Sequence, residues 1–412
     1  MQKQKFEGIY LFLISILPLS IIIGPSISLL NTLLIVILFL ITFNSYKIKI
    51  EKIFLLYLLI ILYVYLILNS FISIDYKEGI YRNLGFLRFV ILFIAINLFF
   101  KISSSQFQFL NFWSLIVLIV VFDSFVEFSF GKNLLGYGDD LYVDRIVSFF
   151  KDEPIVGAYL LGFNFIIVGY LFEKFYKQNL KLKLALFFIL FILVGCILIT
   201  GERSNGIKAI IGLMIFLFLN NKISAKIKIL IFLFSLVFTG LIISNSNYLK
   251  VRYGQQLFTQ LFDNNQRDQF IQNNLYLKLY KSGLAVFKDN PIFGVGNKNY
   301  RVITTKNIET KINEDYILNT HPHQIYIELL SEHGLVGTII LLSIFFYLIF
   351  KNLKIIIISR NSIQLGCFTY LIINFLPILP SGSFFNDFSS TLFWINLSIM
   401  YACNKKTNIF NK

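Results

Sequence analysis

The chain is poor in charged residues, and it has few cysteines, prolines and histidines for its length. Of 412 residues, 14% are charged, 7 are proline, 3 are cysteine and 3 are histidine, while 57% are hydrophobic. A soluble domain cannot bury that hydrophobic fraction, so the composition excludes one and predicts a polytopic membrane protein. The three cysteines lie in apolar segments without metal-ligand spacing, which argues against a disulfide framework.

Several motifs of nucleotide binding and hydrolysis are also missing. The sequence contains no Walker loop, no HExxH, no GxSxG and no dinucleotide-binding pattern. Their absence argues against ATP-driven transport and against hydrolysis of the soluble type. We expect neither a cofactor nor a metal site.

Long apolar runs predict an all-α polytopic membrane protein with about 12 transmembrane helices. The runs lie near residues 8–24, 27–45, 53–72, 84–100, 107–129, 154–173, 182–200, 205–220, 227–245, 335–357, 362–380 and 385–403. The expected organisation is an N-terminal bundle over 1–245, a long loop over 246–333, and C-terminal helices with a short tail over 334–412. No small-residue cleavage site follows the first run, so it is expected to be retained.

Basic residues gather in alternate connections. Lys101, Lys174 and Lys351 belong to the basic set, whereas the opposite set carries acidic residues such as Glu153. By the positive-inside rule, both termini are expected in the cytoplasm and the 246–333 loop outside. The net charge of +15 then reflects orientation and contact with anionic membrane lipids, and nucleic acid is not an expected partner.

The 246–333 loop is unusually long, and loops of such length in compact proteins are functional or disordered. The spacing of apolar and basic residues within this loop predicts an amphipathic helix from Leu275 to Phe287. One face is expected to carry Tyr276, Tyr280, Gly283, Leu284 and Phe287, and another to carry Lys278, Lys281 and Lys288. These signals predict an ordered outer loop with a basic helix over the membrane.

All three histidines lie in one short segment that precedes an apolar run. Pro322 suits the first position of a helix and Gly334 its left-handed C-terminal cap, which would place His323 in the first turn. Free backbone N–H groups there attract anions and favour a neutral imidazole. A neutral histidine beside an anion site suits a general base that acts on a phosphate-activated substrate. The alternative is a purely structural histidine.

Two arginines could bind a ligand or could have a purely structural role. Arg203 lies in a tight turn between two spans, where its planar donors can bind phosphate, or where it can simply pair with Glu202. Arg88 lies about four residues inside the fourth span, where an ionisable group usually faces a cavity or a partner. Asp123 or Glu127 is the expected partner, and the alternative is a side chain that reaches the lipid headgroups.

The histidine segment resembles a motif of the O-antigen ligases and polymerases. His323-Gln324, nine further residues and Gly334-Leu335-Val336-Gly337 match every defined position of that motif. The resemblance covers about two-thirds of the chain, in the order of the family. Its other parts are Arg145 with Phe149-Phe150 and Glu153, Gly201-Glu202-Arg203, Asn290-Pro291-Ile292-Phe293-Gly294-Val295-Gly296, and Ser381-Gly382-Ser383-Phe384-Phe385-Asn386.

The resemblance implies a GT-C-like membrane glycosyltransferase that is inverting and independent of metal. Its donor would be a glycan on undecaprenyl pyrophosphate, presented on the periplasmic side of the bacterial inner membrane. Its acceptor would be the lipid A core, as in a ligase, or a second lipid-linked glycan, as in a polymerase. His323 matches the essential histidine of the family, and Arg203 matches the arginine of the short outer loop.

The sequence departs from the family at the second arginine. That arginine usually begins the helix before the Asn-Pro turn, and here its role falls to Lys278 or Arg267. His321 and Glu328 are expected to orient His323. Gln324 and Arg88 complete the residues expected to contact pyrophosphate or glycan.

Other functions stay open on the sequence alone. About 12 spans also suit a flippase for polysaccharides or lipids, although transporters place polar residues at the bilayer midplane. Here the polar residues gather at one face, and no internal repeat is visible. A scaffold protein and a transferase with another acceptor are further alternatives, and neither the glycan nor the oligomeric state follows from the sequence.

Overall fold

The structure is a computed structural model, and it describes residues 2–46, 49–138, 145–151, 153–176, 178, 180–259 and 274–410. Every regular element within these ranges is helical. The helices are α1 (Gln2–Ser15), α2 (Leu17–Ile23), α3 (Pro25–Tyr46), α4 (Ile53–Phe71), α5 (Tyr76–Gly85), α6 (Leu87–Ile102), α7 (Phe109–Phe130), α8 (Val156–Phe175), α9 (Leu180–Ile199), α10 (Arg203–Leu219), α11 (Ala225–Asn245), α12 (Leu275–Asp289), α13 (Tyr300–Thr310), α14 (Ile325–Phe350), α15 (Leu353–Ser359), α16 (Ser362–Asn374) and α17 (Asp387–Ala402). Shorter elements are a 3-10 turn (Ser148–Phe150), a helical turn (Asn247–Leu249) and a π-helix (Lys250–Thr259).

The predicted all-helical membrane architecture is confirmed, whereas the count of transmembrane helices is lower than expected. By length and composition, 8 of the described helical segments can cross a membrane, or 9 if α1 and α2, bent by 45°, form one span. All twelve predicted apolar runs contain helix. However, α10, α16 and α17 have 17, 13 and 16 residues, which is fewer than a perpendicular crossing usually needs.

The bundle is tightest where α8 crosses α16. A Cβ atom at Gly366 would overlap the carbonyl oxygen of Phe165, and one at Gly169 would overlap the carbonyl oxygen of Ser362. Small residues let two backbones approach closely, which is the usual basis of helix packing in membranes. This contact fixes α8, one wall of the cavity described below, against the C-terminal helices.

A break at Gly334 divides α14 into two helical halves. Gly334 has φ 61° and ψ −170°, so the residue lies outside the left-handed cap conformation that the sequence predicted, although it does end the first half. The segment 291–296 crosses this break. Val295 N–H and Gly296 N–H donate to the carbonyls of Ser331 and Glu332, at 3.0 and 2.8 Å.

On the other side of the break, α14 donates the hydrogen bonds and the segment 291–296 accepts them. The N–H groups of Leu335 and Val336 donate to the carbonyls of Pro291 and Ile292, at 2.8 and 3.1 Å. Groups that a broken helix would leave unpaired are therefore satisfied by one crossing segment. The two glycine motifs of the sequence thus form one structural unit.

The predicted amphipathic helix exists as α12, but its buried face differs from the prediction. The buried residues are Leu279, Ser282, Gly283, Ala285 and Val286. Leu284 is exposed, because α12 packs on α14 through the face centred on Gly283. Ala285 and Val286 join Val295, Tyr300, Ile303 and Tyr316 in a second, smaller hydrophobic core. The membrane side on which this loop lies remains a prediction.

The glycine crossing generates a test of packing. Gly366→Ala should lower the stability of the protein by about 1–3 kcal/mol, because the added methyl group forces α8 and α16 apart. The unfolding temperature in detergent measures this effect. Gly240→Ala is the matched control, since Gly240 lies in α11 with no atom within 4 Å of the added Cβ. Equal unfolding temperatures for the two variants would contradict the close-packed crossing.

Candidate functional site

A cavity of about 650 Å³ lies among α8, α10, α12 and the start of α14. The end of α16 and the segment 378–389 complete its lining. Apolar side chains such as Leu161, Leu392 and Phe393 line part of the wall, and a group of polar side chains lines the rest. Apolar walls with a few convergent polar groups are typical of ligand sites.

The cavity is rich in cations. Arg145, Arg203, Lys208 and Arg252 line it together with His323, and Glu202 is the one carboxylate of the described lining. Arg252 and Arg145 lie close enough to Arg203 for like-charge repulsion. Cations held together in this way are typical of a site for a multiply charged anion.

Glu202 does not neutralise Arg203 through a described ion pair. Its carboxylate accepts hydrogen bonds from Gly157 N–H at 2.5 Å and from the Asn205 amide at 2.6 Å. Burial raises the pKa of Glu202 to about 7, so the carboxyl group is partly protonated at neutral pH. The alternative interpretation of Arg203 as the ion-pair partner of Glu202 is therefore not supported, and the cavity keeps a positive charge.

Arg252 is held at the cavity by the turn that also presents Arg203. Its guanidinium donates to the carbonyl of Gly201 at 3.1 Å and lies 5.7 Å from the centre of the Tyr248 ring. It follows α11 in the π-helix Lys250–Thr259. Sequence analysis did not select Arg252, and its only signal there was a basic residue at the predicted outer end of a span.

Two carboxylates of α7 support the loop that carries Arg145. Glu127 accepts hydrogen bonds from Val147 N–H at 2.9 Å and Ser148 N–H at 2.6 Å. Asp123 accepts from the Ser148 hydroxyl and from Leu134 N–H. These bonds fix the backbone just after Arg145.

The expected pairing of Arg88 with Asp123 or Glu127 is therefore wrong. Arg88 pairs with Asp387 at the start of α17, and Arg82 reaches the same carboxylate at 3.0 Å. The physical reason is that α6 packs on α17, while the α7 carboxylates bond to backbone N–H groups. Arg88 is outside the described cavity lining.

His323 precedes the helix and does not lie in its first turn, as the sequence predicted. The helix begins at Ile325, and Gln324 is its N-cap, whose side chain accepts from Ile327 N–H at 2.9 Å. Pro322 is therefore not the first helical residue. His323 has a φ of 55°, and its carbonyl accepts from Ser381 N–H at 2.9 Å. The difference arises because the Gln324 side chain takes the capping position.

The His323 ring lies between two other rings. Its centre is 3.9 Å from that of His321 and 5.6 Å from that of Tyr276. Burial lowers the pKa of His323 below its usual value. Burial, and then the neighbouring His323, lower the pKa of His321 to about 3. Both shifts favour the neutral imidazole, which is the form that a general base requires.

Glu328 acts on the loop beside His323 rather than on the His323 ring. It accepts hydrogen bonds from the Ser383 hydroxyl and from Phe384 N–H, the second at 2.9 Å. Lys298 donates to the Ser383 hydroxyl and lies 3.6 Å from the Glu328 carboxylate. This buried group anchors the segment whose Ser381 N–H holds His323.

The predicted site residues therefore do not all meet at the cavity. His323 and Arg203 line the same cavity, and His321 contacts the His323 ring. Gln324 and Glu328 hold the local backbone, and Lys278 is exposed on α12, away from the described lining. Arg267 lies outside the described residues. Lys208 joins Arg252 among the cavity cations that sequence analysis missed, although its place on α10, one turn after Ser204, was a usable signal.

In the described part of the chain, no group of three or more histidine, cysteine, aspartate or glutamate side chains is placed to hold a metal ion. Cys196, Cys367 and Cys403 are free and buried.

Comparison with known proteins gives one family. Residues 158–342 match the model of the family described as O-Antigen ligase. A comparison with curated proteins found no match. The matched segment runs from α8, a wall of the cavity, through Arg203 and His323 to the second half of α14. The segment 158–342 is therefore similar to the O-antigen ligase family.

Proposed function

We propose that the protein is a membrane glycosyltransferase of the O-antigen ligase and polymerase type. It would transfer a glycan from undecaprenyl pyrophosphate to an acceptor hydroxyl, with inversion and without a metal ion. The observation that carries the proposal is that His323 and Arg203, distant in sequence, line one cationic and partly apolar cavity within the family match.

The cations of the cavity support a pyrophosphate leaving group. As the bond between sugar C1 and the phosphate oxygen breaks, negative charge grows on the leaving pyrophosphate. Arg203 and Arg252 would stabilise that charge, and preorganised cations in a site of low dielectric are effective in this role. Of the described residues, Arg252 would take the part that the sequence gave to Lys278 or Arg267, because Arg252 lines the cavity and Lys278 is exposed; Arg267 lies outside the described residues.

His323 would act as the general base. The acceptor hydroxyl attacks C1 from the face opposite the pyrophosphate, and its proton passes to the neutral imidazole. Because the leaving group is already good, no strong general acid is needed. The contact with His321 and the hydrogen bond from Ser381 hold the ring and backbone of His323 in place.

The apolar wall supports a lipid-linked donor. Leu161, Leu392 and Phe393 provide a surface on which a prenyl chain can lie. The acceptor is either the lipid A core or a second lipid-linked glycan, on the periplasmic side of the inner membrane. Purified acceptors of both kinds distinguish a ligase from a polymerase.

The first test of this function is transfer by purified protein. With lipid-linked donor, acceptor and a chelator, but without ATP, wild type should form product. His323→Ala should lower the rate roughly 10²–10⁴-fold, the usual contribution of a general base. His333→Ala is the control, because His333 lies in α14 outside the described cavity lining. There its Nδ1 is 3.2 Å from the Tyr65 hydroxyl.

Three results would decide against the proposal. Equal turnover by wild type and His323→Ala would remove His323 as the base. A requirement for metal would remove the metal-independent mechanism. Movement of the donor lipid across vesicles without any transfer would favour the flippase alternative.

The second test concerns the leaving-group cations. Arg203→Ala and Arg252→Ala should each lower the transfer rate about 10²-fold or more, because each removes a charge-assisted contact in the transition state. Arg203→Lys should restore only part of the rate, since a point charge lacks the planar fork of donors. Lys278→Ala is the matched control with near-normal rate. A large loss with Lys278→Ala and none with Arg252→Ala would reverse the assignment.

The third test is the pH dependence of transfer. Because burial lowers the pKa of His323 below its usual value, the acid limb of the rate profile should be centred below about pH 6.5. Activity should decrease only at lower pH, where His323 takes up a proton. Initial rates from pH 5 to 8 measure this effect, and an acid limb centred above about pH 6.5 would contradict it.

A further inference from the structure

One buried cation of the cavity has no part in the reaction described so far. Lys208 lies on α10, is 4% exposed and lines the cavity. Within the described parts of the chain, no hydrogen bond or ion pair reaches its ammonium group. An unpaired charge in a protein interior is strongly unfavourable. A lysine kept in this position at a cavity therefore indicates an anionic ligand.

The position of Lys208 along α10 indicates how that ligand would be oriented in the cavity. Arg203 is the first residue of α10, and Lys208 lies five residues further, about 7.5 Å along the helix axis. Lys208 is thus the deeper cation and Arg203 the outer one. In a prenyl diphosphate sugar, the phosphate bonded to the prenyl chain lies nearer the hydrocarbon, and the phosphate bonded to the sugar lies nearer the water.

We propose that Lys208 binds the phosphate bonded to the prenyl chain, while Arg203 and Arg252 bind the phosphate bonded to the sugar. A monophosphate fills only the inner position and leaves the two arginines unpaired. This inference rests on the proposed function, since it gives Lys208 a role in binding the diphosphate donor proposed there and assigns the orientation of that donor.

The experiment measures binding without an acceptor. Farnesyl diphosphate and farnesyl monophosphate are titrated into the purified full chain by calorimetry. Wild type should bind the diphosphate more tightly. Lys208→Met should weaken both ligands roughly 10- to 100-fold, the usual effect of one charged hydrogen bond. Arg203→Ala should weaken only the diphosphate, because the monophosphate does not reach Arg203.

Two further variants separate binding from folding. Lys208→Met should unfold at the same temperature as wild type or higher when no ligand is present, because it removes an unpaired buried charge. Lys208→Arg should recover part of the affinity for both ligands. Lys288→Met removes one exposed positive charge from α12 and should leave both affinities unchanged.

The outcomes also distinguish this inference from the proposed function. Unchanged affinities in Lys208→Met, or a loss confined to the diphosphate, would overturn the assignment of Lys208 even if wild type transfers glycan. A lower unfolding temperature of unliganded Lys208→Met would show a structural lysine and would also overturn it. If wild type binds as expected but transfers no glycan, the proposed function fails while the assignment of Lys208 stands.

Discussion

The site depends on the exchange of backbone hydrogen bonds at the break in α14. A helix that stops and restarts in a buried region leaves carbonyls on one side and N–H groups on the other, and each unpaired group is costly. The segment 291–296 satisfies both sets. A Cβ atom at Gly294 or at Gly334 would overlap the backbone of the other segment. The start of α14, which carries His323 just ahead of it, is therefore fixed to the loop that precedes α13.

A buried ion pair extends this framework to the 381–384 segment beside the cavity. Lys298 follows the glycine turn and lies beside Glu328 of α14, and the Ser383 hydroxyl bonds to both. Loss of one partner would leave a charge buried without compensation, which typically costs 3–5 kcal/mol. The pair therefore ties the 381–384 segment to the frame that holds His323. The chemical groups of the site are placed by polar contacts, whereas the walls are placed by helix packing.

The sequence predicted the class and the central pair of residues better than it predicted local geometry. Apolar runs and the spacing of His323 and Gly334 led to an all-helical membrane protein and to the family that residues 158–342 match. The start of α14 was predicted too early, because Pro322 and Gln324 both suit a helix start. Only the folded structure shows that the Gln324 side chain caps the helix.

Contacts between segments that are distant in sequence could not be predicted from the sequence either. Nothing in the sequence pairs Arg88 with Asp387, or brings Arg252 to the turn at Gly201. Such pairs follow from which helices pack together, and periodicity does not encode this choice. Lys278, which lies near the position expected from the sequence, is exposed and outside the described cavity lining.

The crossing of α8 and α16 and the bond from Ser381 to His323 also have a consequence for biosynthesis. The cavity cations lie between residues 145 and 252, so they are synthesised before the 378–389 part of the lining. The His323 carbonyl has no Ser381 N–H to bond until that segment has been made. A nascent chain therefore holds the anion-binding groups long before it holds a positioned base, and the complete site forms only after the C-terminal helices have joined the bundle.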